Sequence, residues 1–240
     1  MSELFVRLAA MLGEEAMTRL SRAHIAVFGL GGVGGACAEA LARSGVGKLT
    51  LVDSDSVSES NRNRQAIAFS STVGMAKTDA ASALLREINP AIGLCTRQVF
   101  FNAETADTFD FSEYDYVVDC IDTVTAKLLL IERCRAVGTP IVCCMGTGNK
   151  LDPSRLRLSD LEKTDTCPLA RVMRIECRKR GIRRLPVVWS DEIPAKAVVS
   201  DPASDPKRNI PGSSAFVPPA AGLLLASAVV RAVALGETLP

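Results

Sequence analysis

Residues 24–53, HIAVFGLGGVGGACAEALARSGVGKLTLVD, restrict the fold more than any other stretch of the chain. An apolar run, His24 to Phe28, feeds a turn containing Gly29, Gly31, Gly32 and Gly34. A helical pattern follows, with Ala36, Ala40 and Leu41 on one face. A second apolar run, Leu49 to Val52, ends on Asp53. The order is strand, glycine turn, helix, strand and acid. Glycines suit the turn because a side chain would hold phosphates away from the N–H groups of the helix N-terminus. Asp53 stands where a carboxylate accepts hydrogen bonds from a ribose diol. That spacing by itself suits NAD. Asn61, Asn63 and Arg64, soon after the acid, argue for a different nucleotide.

The rest of the chain extends the alternation. Gly13 to Leu20 reads as a short amphipathic helix and Gly74 to Ile88 as a helix stopped by Asn89-Pro90. Gly93 to Val99, Tyr114 to Cys120 and Ile141 to Met145 read as strands, with a helix over Lys127 to Ala136 between the last two. Arg155 to Leu158 and Leu185 to Trp189 are two more strands, around a basic helix from Leu169 to Arg180. Continuous apolar strands alternating with helices predict an α/β fold: a Rossmann-like, doubly wound, mostly parallel sheet with helices on both faces and a C-terminal extension. With 240 residues, 48% of them hydrophobic, one domain is expected. Its nucleotide-binding core spans 1–150, and a substrate and dimer region spans 151–240, with a mobile surface loop over 197–212.

A formal net charge of +1 excludes polyanion binding by overall field, so any nucleic-acid contact needs a local patch. None of the eight cysteines makes a CxxC pair, and most are expected to be reduced core thiols of a cytoplasmic protein. With charges spread from Arg7 to Arg22, no signal peptide is expected before the first strand. The apolar stretch Ala220 to Leu235 carries Arg231 and is shorter than the ~20 residues of a membrane span, so a buried or dimer-facing helix is expected there. His24, opening a buried strand, is read as structural.

Arg64 and Lys77 supply cations downstream of the acid, as a triphosphate transition state needs. Either alone also reads as an exposed charge. Asp122, after the fourth strand, is placed to hold Mg²⁺ beside phosphates. The alternative makes Asp119 and Asp122 a helix N-cap and a surface acid.

The composite of GxGGxG, LVDSDSVSESNRNRQ, VGMAK and DCIDTVTAK resembles the ubiquitin-activating-enzyme-like superfamily over about residues 5–150. The resemblance implies ATP as the nucleotide. It places Asp53 on the ribose, Asn61, Arg64 and Lys77 on the phosphates, and Asp122 on Mg²⁺. Gly29, Gly31, Gly32 and Gly34 match the motif, and Asp55 and Gln65 join the nucleotide-binding set. Arg7, in FVRLAAMLG, matches an arginine that reaches the nucleotide from the neighbouring subunit, which implies a catalytic homodimer.

Sulfur-carrier adenylyltransferases of that superfamily hold a structural zinc with two CxxC pairs. This chain has none, and Cys143-Cys144 point to opposite faces of a strand, so no structural zinc is expected. The C-terminal elements KLDP, PLAR…RKRGI, VVWSDE and AFVPP instead resemble the tRNA threonylcarbamoyladenosine dehydratases. That resemblance implies ATP-dependent cyclisation of threonylcarbamoyladenosine in tRNA through an acyl-adenylate. Arg171, Arg174, Arg178, Lys179 and Arg180, with Arg183 and Arg184, form a basic segment suited to the tRNA backbone; the bland reading is a solvated helix balanced by acids. Cys167, at a helix start beside a proline, is a candidate thioester nucleophile or acceptor of persulfide sulfur, which would bring in a cysteine-desulfurase-linked partner; a structural thiol is the simpler reading. Rival functions are adenylation of a ubiquitin-like sulfur carrier, a nucleotide-sensing scaffold, and an NAD-dependent oxidoreductase.

Overall fold

The strand that opens the glycine motif, β1 (His24–Phe28), is buried along its whole length and lies at the heart of the sheet. The computed structural model describes residues 3–196 and 212–240, so all but Gly212 of the loop expected over 197–212 lies outside the described residues. After β1 come α3 (Gly32–Arg43), β2 (Lys48–Val52), α4 (Lys77–Ile88), β3 (Gly93–Arg97), β4 (Tyr116–Asp119), α5 (Val124–Val137) and β5 (Ile141–Cys144). β6 (Leu156–Asp160), α6 (Pro168–Lys179), β7 (Pro186–Ser190) and α7 (Val217–Leu235) follow. Helices α1 (Val6–Leu12) and α2 (Glu14–Arg22) precede β1; the first has no counterpart in the sequence reading.

The seven strands run in the order β3-β2-β1-β4-β5-β7-β6. Every neighbouring pair is parallel except β6–β7, which is antiparallel and closes one edge. The expected α/β architecture with a mostly parallel sheet is therefore the one observed. Successive residues of β1 serve opposite layers, as the strand period requires. Ile25 and Val27 pack with Leu20, Leu41 and Val229, while Ala26 and Phe28 pack with Leu130, Ile131 and Met173. Cys143 and Cys144 divide the same way between the two layers. His24 is buried, with Nε2 2.8 Å from Thr50 Oγ1 and its ring edge-on to Tyr114; burial chiefly pushes its pKa below the usual imidazole value.

Several boundaries differ from the sequence reading for local reasons. Helix α4 starts at Lys77 and not at Gly74. Gly74 has a left-handed φ of 88°, and Val57 pairs with Gly74 and Met75 in a tight turn that places Ala76 as the N-cap. Helix α7 starts at Val217 because prolines fit a first helical turn, where their missing N–H has no partner to lose.

Helix α7 is long and apolar enough to cross a membrane by length and composition, yet it packs across α3 and α2 in the fold. The approach of α7 to α3 requires Gly222, since a Cβ there would stand 2.2 Å from the Val33 carbonyl oxygen. Gly222→Val is expected to separate the two helices and to destabilise the protein by about 1–3 kcal/mol, the usual cost of overpacking, read as a lower Tm in a thermal melt.

Candidate nucleotide-binding site

A cavity of about 800 Å³ opens at the carboxyl ends of β3, β2, β1, β4 and β5. Its centre lies between β1 and β4, where the strand order reverses and the loops on either side diverge. The volume is that of a nucleotide-sized ligand site.

The glycine turn forms one wall. Gly29 has φ of 88°, and a Cβ on it would stand 2.8 Å from the Cys120 carbonyl oxygen. A Cβ on Gly34 would meet the Gly29 carbonyl oxygen at 1.7 Å, so Gly34 serves the closure of the turn and does not itself line the cavity. Gly29, Gly31 and Gly32 do line it, at the N-terminus of α3. Their bare backbone leaves the cradle that phosphate groups need.

Asp53 follows β2. Its Oδ2 accepts from Leu30 N at 2.6 Å and its Oδ1 from Asp55 N at 2.8 Å, which holds the carboxylate at the cavity wall. Lys77, at the first turn of α4, is almost fully buried. Its Nζ lies 2.7 Å from Asp55 Oδ2 and 3.8 Å from Asp53 Oδ1. Asn61, Arg64 and Gln65 come from the segment between β2 and α4. Asn61 Oδ1 accepts from Ser58 N, fixing a short turn, and Arg64 Nη1 donates to the Ser60 carbonyl and to Asn63 Oδ1. Gln65 is 7% exposed, and its Oε1 has no hydrogen-bond partner among the described residues. A buried acceptor without a partner beside an open cavity marks a place for a donor from a ligand.

The opposite wall follows β4 and β5. Asp119 is not a helix N-cap. Its Oδ1 accepts from Ile121 N at 3.0 Å and its Oδ2 from Lys127 Nζ at 2.8 Å, and both side chains are fully buried. The N-cap of α5 is Thr123. Asp122 is exposed at the cavity wall, engaged by a long contact from Thr123 Oγ1 at 3.3 Å. The structure thus brings Gly29, Gly31, Gly32, Asp53, Asp55, Asn61, Arg64, Gln65, Lys77 and Asp122 around one cavity. It adds residues that sequence reasoning missed: Phe100 after β3, Gly146 to Gly148 after β5, and Leu169 on α6. Cys120 also lines the cavity, where burial, above all, keeps its thiol well above the usual range and protonated.

The sequence model of the ThiF family matches residues 5–235. A tRNA threonylcarbamoyladenosine dehydratase of Bacillus subtilis is 41% identical over 235 residues, covering 94% of this chain and 92% of that one. The chain belongs to the ThiF family, in its tRNA threonylcarbamoyladenosine dehydratase branch. The dehydratase of Escherichia coli is 40% identical over 166 residues, 69% of this chain and 62% of that protein. The crystal structure of E. coli TcdA in complex with ATP matches with a TM-score of 0.88 at 31% identity, covering 98% of this chain and 95% of that one. The adenylyltransferase and sulfurtransferase MOCS3 of Drosophila willistoni is 35% identical over 140 residues, 58% of this chain and 30% of that protein.

The remaining candidate residues of this ThiF-family chain do not line the cavity, although Cys167 Sγ packs behind Gly146, which does, 3.5 Å from where a Cβ on that glycine would stand. Arg7 is exposed on α1 and does not line the cavity. Cys167 is 2% exposed at the N-cap of α6 and is also outside the cavity lining. On α6, Arg174 donates to Thr164, Arg178 pairs with Glu162 and Lys179 with Glu176, and Arg180, at the C-cap, pairs with Glu176 and Glu132. Among the described residues Arg171, Arg183 and Arg184 are exposed and take part in no ion pair. No group of three or more His, Cys, Asp or Glu side chains poised for a metal occurs among the described residues.

Proposed function

We propose that this chain dehydrates threonylcarbamoyladenosine in tRNA, using ATP to adenylate its carboxylate. The observation that carries the reading is the juxtaposition, in a chain of the dehydratase branch, of a bare glycine cradle with Arg64, Lys77 and the unpartnered Gln65 acceptor around one cavity. A redox dinucleotide has less use for that concentration of cation.

In the reaction a carboxylate oxygen of the threonyl group bonds to the α-phosphorus of ATP. The bond from that phosphorus to the bridging oxygen breaks, and pyrophosphate leaves. The carbamoyl group then adds to the acyl carbon, AMP departs with the former carboxylate oxygen, and one proton is released. The net change is loss of one water from the nucleoside. Arg64 and Lys77 would meet the charge that gathers on the α-phosphate and pyrophosphate, and Asp53 would hold the ribose. Asp122 fits Mg²⁺, since a single exposed carboxylate beside phosphate oxygens is the usual donor set. Bound there, the ion would neutralise phosphate charge. Arg7 of the partner subunit would reach the nucleotide across a homodimer, which accounts for its exposure and its distance from the cavity of its own chain. Arg171, Arg183 and Arg184 are the cations of the basic segment left free for tRNA phosphates. Work on tRNA fits a cytoplasmic protein. Cys167 has no part in the reaction as written.

The test is mass spectrometry of nucleosides from tRNA incubated with the protein, ATP and Mg²⁺. Threonylcarbamoyladenosine is expected to lose the mass of one water, and AMP and pyrophosphate to appear in equal amounts. Unchanged nucleoside, with pyrophosphate exchange that depends on a small protein ending in Gly-Gly, would establish the sulfur-carrier reading instead.

A further inference from the structure

The turn Gly146-Thr147-Gly148 lines the cavity at the end of β5. It is pinned on both sides. Met145 N donates to the Val188 carbonyl at 2.7 Å. Beyond the turn, Asn149 N donates to the Gly212 carbonyl at 2.7 Å, and Asn149 Oδ1 accepts from Gly212 N at 2.6 Å. The Asn149 carbonyl accepts from Ala195 N at 2.7 Å, and the buried Lys150 Nζ donates to the Ser190 carbonyl at 3.0 Å. Asn149 sits in the left-handed region, with φ of 59°, where asparagine is among the few residues that enter readily.

Within this fixed frame the turn's own polar groups are unspent. Among the described residues, the N–H groups of Gly146, Thr147 and Gly148 and the Thr147 hydroxyl have no hydrogen-bond partner in the chain. Three consecutive amides without acceptors, in residues that line a cavity, are donors available to an oxygen that carries negative charge.

Strand order says which oxygen. A nucleotide with its ribose on Asp53, after β2, and its phosphates on Gly31 and Gly32, after β1, leaves the β5 end of the cavity open. That end is where a group attacking the α-phosphate must stand. We infer that the Gly146–Gly148 turn is the subsite for the threonylcarbamoyl arm. Its amides hold the carboxyl oxygen that does not attack phosphorus, and Thr147 Oγ1 bonds the carbamoyl group. The inference rests on the reaction proposed above and adds where its acceptor sits.

Neutral donors suit both steps. They orient a carboxylate without a cation that would tie up the attacking oxygen. When the carbamoyl group adds to the acyl carbon, the carbonyl π-pair moves onto the same held oxygen, and the amides meet the charge as it forms. As AMP leaves, the pair returns and the carbonyl is restored.

The test compares Thr147→Val, Thr147→Asp and Thr147→Ser in steady-state turnover of modified tRNA, with ATP affinity and Tm measured alongside. T147V removes the hydroxyl at nearly constant shape and is expected to lower kcat/KM for tRNA about 10-fold, the value of one lost hydrogen bond. T147D sets a carboxylate among the amides and is expected to lower it about 100-fold or more, the scale of a disabled oxyanion site. T147S restores most of what T147V loses. ATP affinity and Tm stay at wild-type values in all three. Should T147D not fold, T147V and T147S decide the matter. Unaltered tRNA turnover in T147V and T147D overturns the subsite alone, and so does an equal fall in ATP affinity. A wild-type protein that leaves the nucleoside unchanged overturns the proposed reaction and the subsite together.

Discussion

Lys77→Met is expected to lower the rate of ATP–pyrophosphate exchange by about 10²–10³-fold, the usual cost of removing one preorganised group that stabilises transition-state charge. Lys77 is unusually well set for that task. Its stem is buried, its backbone N–H is bonded to the Asp55 carbonyl at 2.9 Å, and its ammonium faces Asp53 and Asp55. Asp55 is largely exposed, so water can solvate it when the ammonium turns to a phosphate. Methionine keeps the length and packing of the stem while removing the charge. It also leaves two carboxylates facing the cavity with no counter-ion from α4, so ATP itself is repelled. Lys77→Arg is not expected to rescue the exchange, because the planar fork is larger than the point charge the buried site accommodates. Exchange at the wild-type rate in K77M would remove Lys77 from the phosphate site.

The largest effect on stability is expected at the buried pair beneath the opposite wall. Lys127→Met should destabilise the fold by about 3–5 kcal/mol, because it leaves the Asp119 carboxylate buried without its cation. A typical domain has about 5–15 kcal/mol in all, so the variant approaches the limit of folding. Burial, the largest single influence, works against the charged form of Lys127, but Asp119, through its charge and hydrogen bond, together with the neighbouring Cys143 and Cys144, holds the ammonium above its ordinary pKa. Urea denaturation measures the loss as a lower midpoint at constant slope. Asp119→Asn in the same chain removes the stranded charge and is expected to return part of the stability. A K127M variant as stable as wild type would show that the pair adds nothing. The pair also has a bearing on the site, since the second Asp119 oxygen accepts from Ile121 N and so shapes the turn that presents Asp122.

Elements with continuous apolar runs were legible from sequence because their burial is uniform. The run His24 to Phe28 maps onto β1 without adjustment, and the glycine turn onto the cavity wall. Edges were less legible. β3 reads to Val99 but ends at Arg97, where its backbone leaves the ladder with β2, and nothing in Arg155 to Leu158 signals that β6 runs antiparallel. The N-cap alternative for Asp119 stayed open in the sequence because a carboxylate before a helix fits that role equally well; only the tertiary fold shows that Lys127, in the first turn of α5, turns back to meet it. The basic face of α6 carries a similar ambiguity. Arg178 finds Glu162 and Arg180 finds Glu132, acids from distant elements that no sequence window joins to the helix. Phe100 and the Gly146–Gly148 turn left no periodic trace, since a loop enters a cavity through topology and not through pattern.

The seating of α7 on α3 through Gly222 has a consequence for biosynthesis. The floor under the phosphate-facing helix comes from residues 217–235, far later in the chain than β1 and α3. N-terminal segments generally fold first during synthesis, but here the glycine turn has no finished support until translation has passed residue 235. The nascent polypeptide should therefore gain nucleotide affinity late and in one step, well after its first two strands have paired.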